Sequence, residues 1–171
     1  MSFARTMGIV TRAGAVLLPA CVIGLWVFWD ALAPKAAMLA GLPLDPASIG
    51  VGARLAGAAV MLLGALLQSY GLWCLSKTFD EAAQQRALSD AAIAGFQRFS
   101  WIVLAMVPIG VLIRAGVIAI VSAADSMPGG FLPLTFGTAE VQGAFIGLLL
   151  VFVARVFRQG QAAEIENQAF L

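Results

Sequence analysis

The chain has 171 residues, with 10 lysines and arginines, 9 aspartates and glutamates and no histidine, and 61% of it is hydrophobic. A soluble domain of this length would carry roughly 43 charged residues, because about a quarter of the residues in such domains are charged. So few charges cannot cover the surface of a soluble globule, and the composition therefore predicts an integral membrane protein. The absence of histidine excludes histidine-ligated haem, histidine-bearing zinc sites and Ser-His or Cys-His catalytic pairs.

The other residues that carry chemistry give no sign of a reactive centre. The two cysteines, Cys21 and Cys74, lack the Cys-x-x-Cys spacing of metal and redox sites. A net charge of +1 predicts no direct contact with nucleic acid. We therefore expect a protein that is not an enzyme and that has no catalytic residues, cofactor or metal site.

Four stretches of the chain are long and apolar enough to span a membrane. A transmembrane helix needs about 20 mostly apolar residues, since each residue rises about 1.5 Å and the hydrocarbon core is about 30 Å thick. The stretches lie at about residues 13–33, 53–76, 100–123 and 138–157, within a single domain. The first also resembles a secretory signal peptide, but its apolar run is long and Pro34 would start the mature chain. The pattern predicts an all-α integral membrane protein built as a four-transmembrane-helix bundle.

The basic residues lie mainly on one side of the predicted membrane. Cytoplasmic loops of membrane proteins are enriched in lysine and arginine. Lys35 and Arg54 fall on one side, whereas seven basic residues fall on the other: Arg5, Arg12, Lys77, Arg86, Arg98, Arg155 and Arg158. We therefore place both termini in the cytoplasm, together with a hairpin at residues 77–99 and a tail at residues 158–171.

The second and third helices are expected to extend beyond the membrane into the cytoplasm. Ser89 and Asp90 mark a helix start, because serine caps helix N-termini and an acidic side chain favours the positive end of the helix dipole. A helix from there to about Ala123 would be about 50 Å long, which exceeds the bilayer core. A protein partner would therefore dock on this side, where the candidate surface comprises Phe79, Arg86, Ile93, Phe96, Arg155, Arg158 and Glu164.

Glycines recur at a spacing that favours close helix packing. Every seventh residue along the second span is glycine, at Gly50, Gly57, Gly64 and Gly71. Such residues form one stripe that drifts by about 20° per repeat, and small residues let helices approach closely in lipid. The stripe predicts a packing seam, although a glycine-rich chain also produces this spacing by chance. The fourth span carries a G-x-x-x-G pair, for which packing within the chain is favoured over dimerisation: Gly143 and Gly147.

Arg114 is the charged residue that lies deepest in a predicted span. A helix that begins to cross near Ser100 places Arg114 about 21 Å deep, where a charge costs a few kcal/mol unless it faces protein or water. Three residues lie near its level, so the sequence predicts an intramembrane polar cluster of Asp30, Arg54, Arg114 and Glu140. The alternative is that Arg114 extends toward the outer surface while the others lie among the headgroups. A cluster would stabilise the fold as readily as it would bind a ligand.

The C-terminal tail and the hairpin resemble a known family. The tail reads Ala-Arg-Val-Phe-Arg-Gln-Gly over residues 154–160, followed by Glu164, Glu166 and Asn167. The hairpin carries a further set: Tyr70, Leu72, Trp73, Leu75, Phe79, Leu88, Ser89 and the Arg-Phe-Ser-Trp run at residues 98–101. These residues resemble the YoaS-like bacterial membrane proteins, the domain-of-unknown-function family 2975, over about residues 55–167. The chain departs from the family pattern at Gln168-Ala169-Phe170, and it lacks the common Gly-Glu-Phe stretch of the inner loop.

The resemblance carries implications for fold and partner. It implies a four-helix membrane fold in a bacterial cytoplasmic (inner) membrane. Many genes of the family stand beside a gene for a small helix-turn-helix regulator, which implies a membrane partner for a transcription factor. No catalytic residues are known in the family, so none is carried over to this chain.

Three functions are compatible with these patterns. The favoured one is a non-catalytic regulatory or sensory membrane protein that engages a cytoplasmic partner through the hairpin and tail. The first alternative is a structural or accessory subunit of a larger membrane complex, with a homo-oligomer left open. The second is a small oligomeric transporter or channel that uses the layer of Arg114, although no internal repeat of the transporter kind is visible.

Overall fold

The computed structural model describes residues 2–40, 49–124 and 137–169, and every element within them is an α-helix. In chain order the helices are α1 (Ser2–Val27), α2 (Trp29–Ala40), α3 (Val51–Ala83), α4 (Asp90–Ala124) and α5 (Thr138–Ala169). Among these residues, α1, α3, α4 and α5 are long and apolar enough to cross a membrane. The prediction of an all-α chain with four such helices is confirmed.

The first helical region extends beyond both ends of the first predicted span. Helix α1 begins at Ser2, and α2 continues past Pro34 to Ala40, whereas the first predicted span covers about residues 13–33. The two helices are separated only at Phe28, whose backbone N–H donates to Gly24 O at 2.9 Å. Residues 31–40 are mostly alanine, leucine and methionine, which are strong helix formers and account for this continuation.

The four long helices pack in a row, in chain order. Within the described residues, α1 packs on α3, α3 on α4 and α4 on α5, whereas α1 contacts neither α4 nor α5 and α3 does not contact α5. Each helix runs antiparallel to the one on which it packs, as Gly8 of α1 lies beside Asp80 near the end of α3. The predicted bundle is therefore an open row without a shared central core. Such a row suits lipid, because no hydrophobic effect draws helices together there.

The glycine stripe of α3 serves two neighbours rather than one. Gly57 faces the indole ring of Trp26 on α1, whereas Gly64 and Gly71 face isoleucine side chains of α4. Gly50 precedes α3 and has open space around it. The drift of the stripe, about 20° per repeat, contributes to this change of neighbour.

The closest approaches to the backbone of a neighbouring helix are made by glycines of α4 and α5. A Cβ atom on Gly95 of α4 would lie 2.6 Å from the carbonyl oxygen of Cys74 on α3. On α5, a Cβ atom on Gly147 would lie 2.9 Å from Leu104 Cα, and one on Gly143 would lie 3.3 Å from Val107 Cγ2. The G-x-x-x-G pair therefore packs on α4 within the same chain.

Candidate functional site

One end of the helix row brings together three separate parts of the chain. We call it the hairpin end and define it as residues 2–12, 77–99 and 154–169. An ion pair between Arg12 and Asp80 joins α1 to α3 at this end. The side-chain amide of Gln161 donates a hydrogen bond to Asp90 Oδ1 at 2.9 Å, which joins α5 to α4. The first helix, the α3–α4 hairpin and the last helix therefore meet on one side of the predicted membrane.

The turn between α3 and α4 has a well-defined hydrogen-bonded geometry. After the C-cap residue Gln84, Gln85 adopts a left-handed φ of 63°. The N–H of Arg86 donates to Glu81 O at 2.9 Å, and the N–H of Gln85 donates to Ala82 O at 3.1 Å. This bond pattern is a Schellman motif, which terminates α3 by satisfying its last carbonyls.

The start of α4 is fixed by side chains of the same turn. Ser89 Oγ accepts a hydrogen bond from the N–H of Ala92 at 3.2 Å, so the predicted N-cap and the helix start at Asp90 are confirmed. Ser89 Oγ also donates to Glu81 Oε2 at 3.0 Å, and the Arg86 guanidinium lies 3.2 Å from the same carboxylate. The turn is therefore tied back to the last residues of α3.

We expect the substitution Gln85→Gly to raise the free energy of unfolding by about 0.5–1 kcal/mol. A left-handed residue with a Cβ atom costs roughly 1–2 kcal/mol, part of which glycine returns as extra freedom of the unfolded chain. Reversible unfolding in mixed detergent and SDS micelles measures the change. Gln84→Gly is the matched control, because Gln84 has an ordinary φ of −93° and gains nothing from glycine. Equal destabilisation by both substitutions would contradict the prediction.

Hydrogen bonds from hydroxyl groups join the helices just below the turn. Thr78 Oγ1 of α3 donates to Ala92 O of α4 at 2.8 Å. Ser100 of α4 is fully buried, and its hydroxyl lies 2.8 Å from Phe96 O and 3.3 Å from Leu150 O of α5. The guanidinium of Arg158 donates to Gln97 Oε1 at 2.6 Å, a third link between α5 and α4. The hairpin end is therefore cross-linked through three consecutive helices.

The apolar residues of the predicted partner surface are used largely within the chain. Ile93 is only 3% exposed, so it belongs to the helix interface and is not available to a partner; this part of the prediction is corrected. The ring of Phe96 packs against that of Phe157 at 5.6 Å between centroids, and Phe79 is half-buried beside Gly8 of α1. An apolar residue near the start of a helix can pack on a neighbouring helix of its own chain as readily as on a protein partner.

The charged residues of the same predicted surface remain at the surface. Arg155 and Arg158 are exposed on α5, the latter bonded to Gln97. Arg86 is also exposed, although its guanidinium is bonded to Glu81 and to Gln84. The side chain of Glu164 lies outside the described residues.

The opposite end of the row holds the four residues of the predicted polar cluster, arranged as two ion pairs. The Arg54 guanidinium lies 3.0 Å from Asp30 Oδ1, which joins α3 to α2. The Arg114 guanidinium lies 2.5 Å from Glu140 Oε1, which joins α4 to α5. The first pair links α3 to α2, which follows α1, and the second links α4 to α5, so the helix order places the two pairs on different flanks.

Two stacked indole rings lie on one side of the first pair. Arg54 Nε donates to Ile49 O at 2.8 Å, and the guanidinium carbon lies 5.8 Å from the ring centroid of Trp29. The Trp29 ring stacks on that of Trp26 at 4.6 Å, and Trp26 in turn covers Gly57. These contacts fix the junction between α1 and α2 against the start of α3.

The second pair fixes the start of α5. Glu140 Oε2 accepts a hydrogen bond from the backbone N–H of Gly137 at 2.7 Å, so this carboxylate caps the first turn while it holds Arg114. The Glu140 side chain is 13% exposed, whereas that of Arg114 is 47% exposed. The guanidinium is therefore the part of the pair that is accessible from outside.

Metal ligands are not clustered in the part of the chain described above. Among residues 2–40, 49–124 and 137–169, no group of three or more Cys, Asp or Glu side chains is placed to hold a metal ion. Cys21 is exposed on α1 and Cys74 is buried on α3. Within the described residues, the hairpin end and the opposite end of the row provide ion pairs, hydrogen bonds and apolar contacts.

The sequence patterns do not indicate three of the residues that organise the hairpin end and the helix contacts next to it. The partner of Arg12 is Asp80, 68 positions away, and no local spacing indicates such a pair. Ser100 was read only as the start of a span, and Gly95 lies outside both glycine patterns. A small or hydroxyl residue in the middle of an apolar helix face is the one feature that could have indicated Ser100 and Gly95.

Comparison with known proteins identifies the family. The chain matches the family described as a protein of unknown function (DUF2975) over residues 43–169, which covers α3, α4 and α5. Neither the curated proteins nor the solved structures include a match to this chain. The matched region contains the whole hairpin, both close glycine contacts and the Arg114–Glu140 pair. The chain therefore belongs to the DUF2975 family of proteins of unknown function, as its tail and hairpin residues predicted.

Proposed function

We propose that this protein is a regulatory membrane protein that holds a cytoplasmic protein partner at the hairpin end. The observation that carries the proposal is an open cleft of about 520 Å³ between the α3–α4 turn and the last turns of α5. Leu88 and Ile165 line it and are 38% and 60% exposed, and the polar residues Gln85, Arg86 and Gln161 surround them. Apolar residues enclosed by a polar rim are typical of protein-binding surfaces.

The length of the helices supports a cleft that stands clear of the membrane. Helix α5 begins at Thr138, two residues before the Arg114–Glu140 pair, so it extends little beyond that pair. About 20 residues suffice to cross the bilayer core, which leaves residues 158–169, about 18 Å of helix, on the far side. Helices α3 and α4, with 33 and 35 residues, exceed the bilayer by a similar amount. This excess helix length supports a rigid helical platform, formed by the ends of α3, α4 and α5, that projects into water.

The charge distribution supports a cytoplasmic position for this platform. Seven of the ten basic residues belong to the hairpin end, and such enrichment is typical of the cytoplasmic side. We therefore propose a bacterial cytoplasmic membrane protein with both termini and the hairpin in the cytoplasm. The partner proposed is a small helix-turn-helix regulator, which the family resemblance implies; the chain itself makes no contact with nucleic acid.

Capture of the partner from native membranes tests the proposal. The variants Leu88→Glu and Ile165→Glu place a charge in the cleft, and we expect each to reduce co-purification of the regulator at least about tenfold. Gln159→Glu is the matched control, because it adds the same charge to an exposed position of α5 outside the cleft. Unchanged capture by both cleft variants, with folding intact, would reject the cleft as the docking site.

A cytoplasmic partner can bind the hairpin end only if this end lies in the cytoplasm, and cysteine labelling tests that orientation. In a Cys21→Ala background, Gln85→Cys should react with a membrane-impermeant maleimide in inverted membrane vesicles and not in intact cells. Labelling in intact cells would place the turn outside and would contradict a cytoplasmic partner. Buried Cys74 provides the internal control, since it should remain unlabelled in both preparations.

A second candidate function is an accessory subunit of a larger membrane complex. The open row favours it, because within the described residues α1 and α5 each pack on a single long helix and leave most of their apolar surface uncovered. Copurification of another membrane protein in mild detergent, unaffected by Leu88→Glu and Ile165→Glu, is the expected result. Migration as a monomer without any other subunit would reject this function.

A further inference from the structure

The open row leaves a groove between α3 and α5, with α4 as its floor. Helices α3 and α5 both pack on α4 but not on each other, so one face of α4 between them stays uncovered. The groove follows this face from Phe99 to Arg114 and has a volume of about 490 Å³. Its walls include Gln68 and Leu72 of α3 and Gly143 and Ile146 of α5. It lies within the membrane-spanning parts of all three helices.

The dimensions of the groove suit a hydrocarbon chain. The 15 helical rises from Phe99 to Arg114 correspond to about 22 Å along the helix axis. A volume of about 490 Å³ lies in the range of small-molecule sites, roughly 300–1,000 Å³. One extended hydrocarbon chain fits this space.

The groove ends at a cationic group. Arg114 and Glu140 both line the groove at this end, and their side chains are 47% and 13% exposed, respectively. Most of the charged surface that an occupant meets therefore belongs to the Arg114 side chain, which the ion pair holds in place. An arginine guanidinium matches phosphate oxygens in geometry and charge, and arginines below a membrane surface reach toward headgroups. A molecule with an apolar chain and a phosphate at one end therefore complements the whole groove.

We propose that this groove is a binding site for one phospholipid from the leaflet on the Arg114 side. One acyl chain lies along α4, and the phosphate contacts the Arg114 guanidinium. Gly110 lies on the floor of the groove, and an added Cβ atom there would meet nothing within 4 Å. The acyl chain would occupy this open space above Gly110. The proposal is independent of the partner at the hairpin end, which lies at the other end of these helices.

Native mass spectrometry of the full chain tests the site with three probes. These are phosphatidylglycerol, diacylglycerol with the same chains, and glycerol phosphate without chains. We expect one phosphatidylglycerol per chain, at least about tenfold weaker retention of diacylglycerol, and no retention of glycerol phosphate. Equal retention of diacylglycerol and phosphatidylglycerol would overturn the role of the phosphate. This comparison uses the wild-type chain and does not depend on any variant folding.

Two variants then locate the lipid. Gly110→Leu fills the groove and should reduce phosphatidylglycerol retention at least about tenfold. Gly24→Leu is the matched control on α1, because its Cβ position also has nothing within 4 Å, and it should retain the lipid. Wild-type lipid retention by Gly110→Leu would overturn the site. If the wild-type chain also gives a dimer mass that Gly110→Leu loses while it retains the lipid, a second copy of the chain is the occupant instead.

A charge exchange separates recognition from structural support. The double variant Arg114→Glu with Glu140→Arg keeps an ion pair between α4 and α5 but turns a carboxylate toward the groove. We expect it to remain folded but to unfold at a lower temperature than the wild type, because Glu140→Arg also removes the acceptor of the Gly137 N–H, and we expect phosphatidylglycerol retention to be lost. Full retention of the lipid by this variant would show that the pair only supports the fold, and would overturn the proposal.

Discussion

Replacing Gly95 with alanine will lower the free energy of unfolding by about 2–3 kcal/mol, the upper part of the usual range for an overpacked interface. The new Cβ atom would lie 2.6 Å from Cys74 O and 2.9 Å from Thr78 Oγ1. The first of these is a backbone atom of a helix, so it cannot rotate away as a flexible side chain would. The second donates the hydrogen bond to Ala92 O, so relief of the clash also disturbs the link between α3 and α4.

Reversible unfolding in mixed detergent and SDS micelles measures this effect. Gly110→Ala is the matched control, because it is the same change in the same helix with open space around the new atom. The control should be neutral or slightly stabilising, since alanine is a better helix former than glycine by about 1 kcal/mol. If both variants unfold alike, the close approach of α3 and α4 at Gly95 is not as described.

The second large effect is expected at Gly147, where leucine should separate α5 from α4. Even a Cβ atom at this position would lie 2.9 Å from Leu104 Cα, so a leucine side chain cannot fit without moving the helix. We expect a loss of about 3 kcal/mol, together with loss of the contact between Ser100 and Leu150 O. The movement should extend along α5, because the helix moves as a rigid rod.

Cross-linking with a bifunctional maleimide measures this separation directly. In a Cys21→Ala background, cysteines introduced at Gln97 and Arg158, whose side chains are hydrogen-bonded in the native chain, should be joined by a reagent whose spacer replaces the length of the two side chains. Gly147→Leu should greatly reduce the yield, whereas Gly160→Leu, on the same helix with open space at its Cβ position, should not. An unchanged yield in Gly147→Leu would mean that α5 accommodates the side chain without leaving α4.

The elements of this fold were largely predictable from the distribution of charge. Charged residues are expensive in hydrocarbon, so the runs between them marked α1, α3, α4 and α5. The start of α4 was also predictable, because the Ser89 cap is a local interaction between neighbouring residues. Helix ends were less accurate, because a helix that leaves the membrane tolerates charge and continues, as α5 does through Arg155 and Arg158.

The arrangement of the helices was not predictable in the same way. The depths of Asp30, Arg54, Arg114 and Glu140 were read from helix rise, which gives a level in the membrane but not a direction around the helix axis. One shared level was therefore interpreted as one cluster, whereas the helix order separates it into two pairs. Ile93 illustrates the same limit, since its apolar character does not distinguish its own neighbours from those of a partner.

The order of helices in the row has a consequence for synthesis. Within the described residues, α3, α4 and α5 each pack on the long helix that precedes them in the chain. A helix can therefore pack on its earlier neighbour before any later helix has been made. Each new helix can therefore find its complete earlier neighbour already in the bilayer as it leaves the ribosome. Contacts between sequential elements close short loops at little entropic cost. The chain can thus assemble stepwise from its first residue to its last, with no rearrangement of helices already in place.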